Sequence, residues 1–237
     1  MLDLNKFYRM DCMEGMKHFP DGYFDIAIVD PPFGINGVSV EPWGQTIRNP
    51  RGRQAKNAFC DGGKLKSQLL NECDKKVKEW DIAPPKEYFD ELFRISKAQI
   101  IWGGNYFPLP QSRCWLCWDK EQPFDNFSAF ELAWTSFDYP AAMYRSRVTT
   151  CMRNDKKIHP TQKPVGLYAW LLGKYAKPGD KIIDTHAGSA SSLVACYRGG
   201  YDFVGFEIDE EYYKPAVERL KREVEQMTMW QVCGVQG

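Results

Sequence analysis

Residues 25–33 read Asp-Ile-Ala-Ile-Val-Asp-Pro-Pro-Phe, a short apolar run that ends at an acid followed by two prolines. The apolar run predicts a strand buried inside a sheet. The prolines predict the end of that strand, because proline cannot donate a hydrogen bond to a neighbouring strand. In open α/β sheets, ligands bind beyond the carboxyl ends of the strands. The catalytic candidates at this end are Asp30, Pro31, Pro32 and Phe33.

The chemistry of these four residues suits a planar amino group. The prolines fix the backbone and remove two N–H donors, which leaves carbonyl groups facing outward. The carboxylate of Asp30 beside the carbonyl of Pro31 offers two acceptors for an NH2 group. Phe33 adds a face on which a base can stack. A strand that ends in a rigid turn without further function is the alternative interpretation.

Strands and helices alternate along the remaining sequence. Apolar spacing predicts helices at 86–97, after Pro164, at 190–198 and from about residue 210 to 224, where Tyr213, Ala216, Leu220 and Val224 form the inner stripe. Strands are predicted at 99–102, 114–118, 130–134, 181–184 and 202–207. This alternation predicts a doubly wound, mostly parallel α/β sheet. Residues 1–237 are interpreted as one domain that carries a loop or insert at about 36–80.

A second signal lies between residues 184 and 207. Asp184-Thr-His-Ala-Gly-Ser189 follows a predicted strand, and Glu207 ends the next strand. A strand, a glycine turn, a helix and an acid about 20 residues later form a nucleotide-binding unit, in which the acid pairs with ribose hydroxyls. The stretch contains neither GxGxxG nor a Walker lysine, so it does not indicate phosphate binding.

A third signal is His159-Pro-Thr-Gln-Lys-Pro164, directly before a predicted helix. Polar side chains and free N–H groups at a helix start suit a carboxylate. The alternative interpretation is a simple helix cap provided by Thr161.

Composition excludes several classes of protein. The 237 residues have a formal net charge of +0, and no apolar run approaches the length of a membrane span. The polar start does not resemble a secretory signal, and eight scattered cysteines indicate reduced thiols. We therefore expect a cytoplasmic protein without a membrane partner. The three histidines together with Cys114 and Cys117 do not form a convincing zinc set, so no metal is expected.

Basic residues concentrate in two stretches, residues 36–78 and 144–163. Each stretch has a net charge of +5, so the rest of this neutral chain is negative. Local basic segments can bind phosphate even when the whole protein is neutral. The candidates for such phosphate contacts are Arg48, Arg51, Arg53, Lys56, Arg145 and Arg147. Two solvated loops are the alternative.

Together, the three motifs and their order resemble the beta-class, permuted amino-methyltransferases of DNA, adenine-N6 type. In that family the Asp-Pro-Pro-aromatic motif comes first and the cofactor glycine turn comes late. The resemblance spans almost the whole chain, and it includes Met10-Asp-Cys12, Ile100-Ile-Trp-Gly-Gly-Asn-Tyr106, Trp115-Leu-Cys-Trp-Asp-Lys120 and Gly205-Phe-Glu207. The family's usual Asp-Pro-Phe-x-Gly-Ser-Gly differs here at His186 and Ala190.

The resemblance implies the S-adenosylmethionine-dependent methyltransferase fold with permuted motif order, and S-adenosyl-L-methionine as the cofactor. It also implies a short target-recognition segment at about 138–158. The residues that it assigns to the cofactor are Asp11, Cys12, Asp30, His159, Thr161, Gln162, Lys163, Asp184, His186, Gly188, Ser189, Glu207 and Ile208.

The function implied is methylation of the N6 amino group of a DNA adenine that is flipped out of the duplex. The resemblance also associates the chain with restriction-modification or phage systems, and it leaves a homodimer open. N4-methylation of cytosine is the first alternative, although the family's cytosine members more often have Ser where this chain has Asp30. A catalytically inactive DNA-binding relative is the second alternative, motivated by His186 and Ala190.

Overall fold

The computed structural model describes residues 1–34, 81–121, 128–147, 158, 159 and 161–232, with side chains described as far as residue 226. The strands are β1 (Lys6–Arg9), β2 (Phe24–Val29), β3 (Ser96–Trp102), β4 (Leu116–Asp119), β5 (Phe130–Thr135), β6 (Ala142–Arg145), β7 (Lys181–Asp184) and β8 (Asp202–Glu207). The α-helices are α1 (Cys12–Met16), α2 (Lys86–Ile95), α3 (Val165–Tyr175), α4 (Ser191–Gly199) and α5 (Glu210–Val232), and a 3-10 turn covers Gly104–Tyr106.

All of these strands belong to one sheet in the order β1-β8-β7-β2-β3-β5-β4-β6. Neighbouring strands are parallel except where β5 pairs with β3 and with β4. The predicted doubly wound, mostly parallel sheet is therefore confirmed. Because β5 runs in the opposite direction, its first residues lie beside the last residues of β4, with Phe130 opposite Asp119. The start of β5 thus shares an edge with the carboxyl ends of the other strands.

Helices cover both faces of the sheet. Along β2, Ile26 and Ile28 pack into a core cluster that contains the buried residues of α3 and α4. Ala27 and Val29 point to the other face and join the cluster of α1 and α2. Burial on both faces explains why β2 is a continuous apolar run instead of an alternating one. Among the described helices, none is long and apolar enough to cross a membrane.

Some predicted elements differ at their ends. The helix predicted at 86–97 ends at Ile95, because Ser96 already belongs to β3. The strand predicted from Cys114 begins at Leu116. Two strands, β1 and β6, and the short helix α1 were missed, because each is short and none of their strand residues is buried, so no apolar run marks them.

The predicted inner stripe of the last helix is wrong at one position. Ala216 is buried, but Val224 is 37% exposed, and Arg219 is buried in its place. The guanidinium of Arg219 donates through Nη1 to the carbonyl oxygen of Ser189, at 2.7 Å, and to Ser191 Oγ, at 3.0 Å. A polar anchor therefore replaces part of the expected apolar contact.

Candidate active site

The candidate active site is a cavity of about 470 Å³ at the carboxyl ends of β2, β7 and β8, a volume typical of small-molecule sites. The three motifs identified in the sequence meet there. The predicted site residues on its wall are Asp30, Pro31, Pro32, Phe33, His159, Thr161, Gln162, Lys163, His186, Gly188, Ser189, Glu207 and Ile208.

Asp30 lies directly after β2, with one carboxylate oxygen paired and one open. Its Oδ2 accepts a hydrogen bond from the ammonium group of Lys163. Its Oδ1 is buried and has no hydrogen-bond partner within the described part of the chain. A buried acceptor without a partner is costly, and this oxygen belongs to a residue on the cavity wall. Asp30 therefore has one buried acceptor that is unpaired among the described residues, next to the cavity.

Phe33 is held from two sides. The ring of Tyr106 stacks on it, with centroids 5.2 Å apart and an interplanar angle of 23°. Gly103 approaches so closely that a Cβ there would lie 2.1 Å from a Phe33 ring carbon. Gly103 also has a φ of +67°, which a glycine adopts without strain. Since Phe33 lines the cavity and Tyr106 does not, Tyr106 supports the ring from outside the cavity.

Four alternating charges cross the carboxyl edge of the sheet beside Asp30. The ammonium of Lys163 lies between Asp30 and Glu131, 3.1 Å from Glu131 Oε2. Glu131 Oε1 is 2.6 Å from the ammonium of Lys120, the residue after β4. We call these four residues the charge chain. Lys163 is only 3% exposed, which places its positive charge inside the protein.

The members of the charge chain shift one another's pKa values. Burial raises the pKa of Asp30, and the adjacent Lys163 offsets this only in part. Burial alone would lower the pKa of Lys163, but the carboxylates of Asp30 and Glu131 outweigh it and the pKa is raised. Burial likewise opposes ionisation of Glu131, but Lys163 and Lys120 lower its pKa overall. Lys163 therefore stays protonated although it is buried.

The glycine turn between β7 and α4 forms the opposite wall. Gly188 has a φ of +49° and packs against the ring of His159. Ala190, at the position where the resembled family has glycine, also adopts a left-handed backbone, with a φ of +60°. Arg219 holds this turn from below through Ser189 and Ser191. The turn is thus kept close to the cavity by backbone shape and by one buried arginine.

Glu207 ends β8 next to this turn. Its carboxylate accepts from the backbone N–H of Gly188, at 3.0 Å, and of Asp209, at 2.9 Å. Burial raises its pKa. A carboxylate has about four acceptor positions, so two remain for further donors such as hydroxyl groups.

His186 replaces the aromatic residue of the resembled motif and lies, half-buried, on the cavity wall. Its Nδ1 is 3.0 Å from Thr185 Oγ1 and 3.5 Å from the hydroxyl of Tyr88, while its Nε2 is 3.9 Å from Cys12 Sγ. Burial lowers the pKa of His186 to about 4. The ring is therefore neutral at physiological pH and fills the place of an uncharged aromatic side chain.

Residues 158, 159 and 161–163 make several contacts at the site. The ring of His159 contacts Tyr212 at 4.3 Å between centroids, and Gln162 Oε1 accepts from the backbone of Ile158. The proposed cap by Thr161 is wrong. The N-cap residue of α3 is Pro164, and no side-chain hydrogen bond caps the helix there. Thr161 Oγ1 instead lies 3.1 Å from His159 Nδ1.

Three residues assigned to the cofactor are absent from the described cavity wall and have structural bonds. Asp11 caps α1 by accepting from the backbone of Met13 and Glu14. Asp184 accepts from Ser192 Oγ and from the backbone of His186, and burial raises its pKa to about 7. Cys12 is beside His186, and burial raises its pKa to about 12. These contacts shape the site from behind its surface.

Sequence reasoning missed Glu131, Lys120, Arg219 and Tyr212. Glu131 had one signal, since it is a charged residue inside an otherwise apolar strand stretch. The other three had none, because each becomes part of the site only through the packing of separate elements. Over the described residues, no group of three or more His, Cys, Asp or Glu side chains is arranged to hold a metal ion.

The candidate DNA contacts can be placed only in part. Arg48, Arg51, Arg53 and Lys56 lie outside the described residues, as do the whole insert at about 36–80 and residues 148–157 of the 138–158 segment. The two ends that flank the insert lie together, because the backbone N–H of Gly34 donates to Asp81 Oδ1 at 2.8 Å. Asp81 also lines the cavity. Arg145, which is 3.4 Å from Asp119, and Arg147 are exposed at the end of β6 on the same sheet edge.

Known proteins are similar to this chain in sequence and in fold. Type II methyltransferase M.HinfI of Haemophilus influenzae is 23% identical over 92% of this chain and 68% of its own length. The structure of M1.HpyAVI in complex with SAM covers 91% of this chain and 98% of its own, at a TM-score of 0.51 and 18% identity. The cytosine-N4-specific PvuII DNA methyltransferase aligns at a TM-score of 0.50 and 13% identity, over 93% of this chain and 91% of its own. These two structures share the fold.

The family model described as DNA methylase, which covers N6 and N4 methyltransferases, matches residues 71–218, more than half of the chain. The matched region contains three residues of the charge chain, Lys120, Glu131 and Lys163. It also contains the glycine turn and Glu207, whereas Asp30 lies before it. This chain therefore belongs to the N6/N4 DNA methylase family.

Proposed function

We propose that this protein transfers a methyl group from S-adenosylmethionine to the N6 amino group of adenine in DNA. The observation that carries the proposal is the buried, unpaired Oδ1 of Asp30, a residue on the wall of a cavity that is also lined by the glycine turn and Glu207. An amino group needs an acceptor at one side of the cavity, and a nucleoside-type cofactor needs the acid and close backbone at the other. Both are present within one space.

The residues present fit S-adenosylmethionine. Glu207 retains two acceptor positions for ribose hydroxyls, and the glycine turn allows a ligand to approach the backbone. The uncharged His186 and the exposed side chain of Ile208 supply apolar contact. When bound, this cofactor supplies a methyl group that is already activated for transfer.

The chain's own residues bind and orient the target base. Asp30 Oδ1 and the Pro31 carbonyl accept the two N–H bonds of the amino group, which favours a pyramidal and more reactive nitrogen. Phe33, supported by Tyr106, stacks on the base. Because the base cannot reach this cavity inside a duplex, it must be flipped out. After transfer, the methylated nitrogen loses one proton, and Asp30 Oδ1 is the acceptor in contact with it.

The second candidate function is N4-methylation of cytosine, because cytosine carries the same kind of aromatic amine and the PvuII enzyme shares the fold. Asp30 supports adenine, since the resembled family's cytosine members more often have Ser at this position. An inactive DNA-binding relative is a third interpretation. It predicts no calorimetric binding of S-adenosylmethionine at millimolar concentration.

Mass spectrometry of nucleosides distinguishes these functions. Unmethylated plasmid DNA is incubated with the protein and S-adenosylmethionine and then digested to nucleosides. We expect N6-methyldeoxyadenosine in the wild-type reaction and none without the cofactor. N4-methyldeoxycytidine as the product would overturn the adenine proposal and leave the family chemistry intact.

We further propose that the two basic stretches form the DNA-contacting rim of the cavity. The pairing of Gly34 with Asp81 supports this, because the 36–78 stretch leaves and returns at the mouth of the cavity. Neutralising Arg48, Arg51, Arg53 and Lys56 should lower the log–log salt slope of DNA binding by roughly 0.9 for each phosphate that these side chains neutralise in the wild type. Fluorescence anisotropy with a labelled duplex at several salt concentrations measures the slope. An unaltered slope would remove this stretch from the interface.

A further inference from the structure

Glu131 has no place in the motifs that identify this family's chemistry, yet it lies on the cavity wall. It is the second residue of β5, opposite Trp118 of β4. The reversed direction of β5 brings its carboxylate to the edge where Asp30 ends its own strand. There it contacts two lysines, Lys163 at 3.1 Å and Lys120 at 2.6 Å.

We propose that Glu131 is a positioning residue for the transfer reaction: it holds the ammonium of Lys163 so that this group pairs with Oδ2 of Asp30 and leaves Oδ1 open. The inference rests on the proposed role of Asp30 toward the amino group. It holds equally for adenine and for cytosine, because it concerns the acceptor and not the base.

The geometry of the ammonium group carries this inference. Lys163 is almost completely buried, so its N–H donors need acceptors or a π surface inside the protein. Oδ2 of Asp30 takes one donor, Glu131 lies 3.1 Å away, and the ring of Trp102 lies 5.3 Å from the nitrogen. Without the Glu131 carboxylate this ion pair is lost, and Oδ1 of Asp30, on the carboxylate that Lys163 already contacts, is an acceptor without a hydrogen-bond partner among the described residues. Lys163 would then pair with Oδ1, the oxygen that we propose accepts a hydrogen bond from the amino group of the substrate.

Lys120 completes the arrangement from the other side. Its ammonium contacts Oε1 of Glu131 and lies 5.4 Å from the centroid of the Trp118 ring. This contact fixes the carboxylate of Glu131 and balances its charge, so the charge chain is neutral as a whole. A buried charge without a partner would be strongly unfavourable. Glu131 is therefore held in place, and it can hold Lys163 in turn.

The test replaces Glu131 by Gln, which keeps the shape of the side chain and removes its charge. Turnover is measured with unmethylated plasmid DNA and tritiated S-adenosylmethionine, and cofactor affinity by calorimetry. We expect kcat to fall by about tenfold to a hundredfold, as for a misplaced reacting group, with the cofactor Kd unchanged. Glu218→Gln, the same change in an exposed ion pair with Lys221, is the matched control and should change neither value.

The pH profile separates positioning from a merely structural role. The charged groups around Lys163 are Asp30, Glu131 and Lys120, and Tyr168 and Asp184 interact electrostatically with the same cluster. Glu131 raises the pKa of both Asp30 and Lys163. Its neutralisation lowers both, so the kcat profile of Glu131→Gln should move to lower pH. A structural defect would reduce kcat without moving the profile.

A crystal structure of Glu131→Gln gives a readout that does not depend on activity. We expect Lys163 to contact both oxygens of Asp30 in the variant and only Oδ2 in the wild type. If the wild type is active, a normal kcat for Glu131→Gln would overturn the positioning role. A variant structure in which Oδ1 of Asp30 makes no contact with Lys163 would overturn it as well. Neither result would affect the proposed adenine chemistry, which is judged on the wild-type product alone.

Discussion

The two sides of the cavity are built by different means. On the side of β2, β4 and β5, the four side chains of the charge chain pair with one another and leave Oδ1 of Asp30 unpaired. On the side of β7 and β8, the backbone forms the surface, and the carboxylates of Asp184 and Glu207 accept bonds from N–H groups of the turn. The first side depends on charge balance, and the second depends on backbone shape.

This difference indicates a division of labour. Charge-paired side chains in a dry setting can hold a reacting group without reorganisation during the reaction. A backbone turn presents N–H groups and close contact, which suits the binding of a constant ligand. Substitutions on the first side should therefore change turnover at constant cofactor affinity, and substitutions on the second side should do the reverse.

The largest effect is expected for Asp30→Asn. The variant keeps the volume of the side chain but loses the negative charge and one acceptor at the amino group. We expect kcat to fall by about a hundredfold to a thousandfold, while the cofactor Kd measured by calorimetry stays unchanged. Asp138→Asn, which alters an exposed ion pair with Arg113, is the control. Substantial activity in Asp30→Asn would remove Asp30 from the reaction.

Glu207→Gln should show the opposite pattern. Loss of charge-assisted hydrogen bonds to hydroxyl groups costs about 1.5 kcal/mol or more, which raises the cofactor Kd by roughly tenfold. At saturating cofactor, turnover should be largely retained. Asp202→Asn, at the other end of β8, serves as the control and should leave the Kd unchanged. An unaltered Kd in Glu207→Gln would place the ribose elsewhere.

Gly103→Ala tests the support of Phe33 against a control with the same backbone. Gly103 and Gly200 have φ values of +67° and +71°, so alanine should strain both by about 1–2 kcal/mol. Only at Gly103 does the added Cβ meet the Phe33 ring; at Gly200 nothing described lies within 4 Å. We expect a larger loss of thermal stability for Gly103→Ala than for Gly200→Ala, because only the first adds a clash to the backbone strain, and reduced kcat for Gly103→Ala alone. Equal kcat in the two variants would separate Phe33 from the reaction.

The smallest effect is expected for Ala190→Gly. Glycine relieves the left-handed strain at φ +60°, worth about 1–2 kcal/mol, but increases the conformational entropy lost on folding by about 0.5–1 kcal/mol. The free energy of unfolding in denaturant should therefore rise by up to about 1.5 kcal/mol. Ala195→Gly, within α4, should lower it instead. Destabilisation by Ala190→Gly would mean that the turn has no strain to relieve.

Much of the architecture was predictable from local patterns. The strand before Asp30, the alternation of strands and helices and the glycine turn follow from neighbouring residues, and the structure confirms β2, β7 and β8 at the predicted positions. The short elements β1, β6 and α1 were not predicted, since four residues supply only two periods of the strand pattern and five supply fewer than two periods of the helix pattern. Lys163 was predictable as a site residue, but its contact with Asp30 was not.

The sequence by itself determined which residues end the buried strands, because hydrophobic runs, prolines and glycines act on their own stretch of backbone. Only the tertiary structure decided which charges meet. Glu131 is about 100 residues from Asp30 in the chain, and it reaches Lys163 because β5 is inserted between β3 and β4 in the reverse direction. Strand direction is set by packing and pairing across the whole sheet, and the alternation within β5 is the same in either direction.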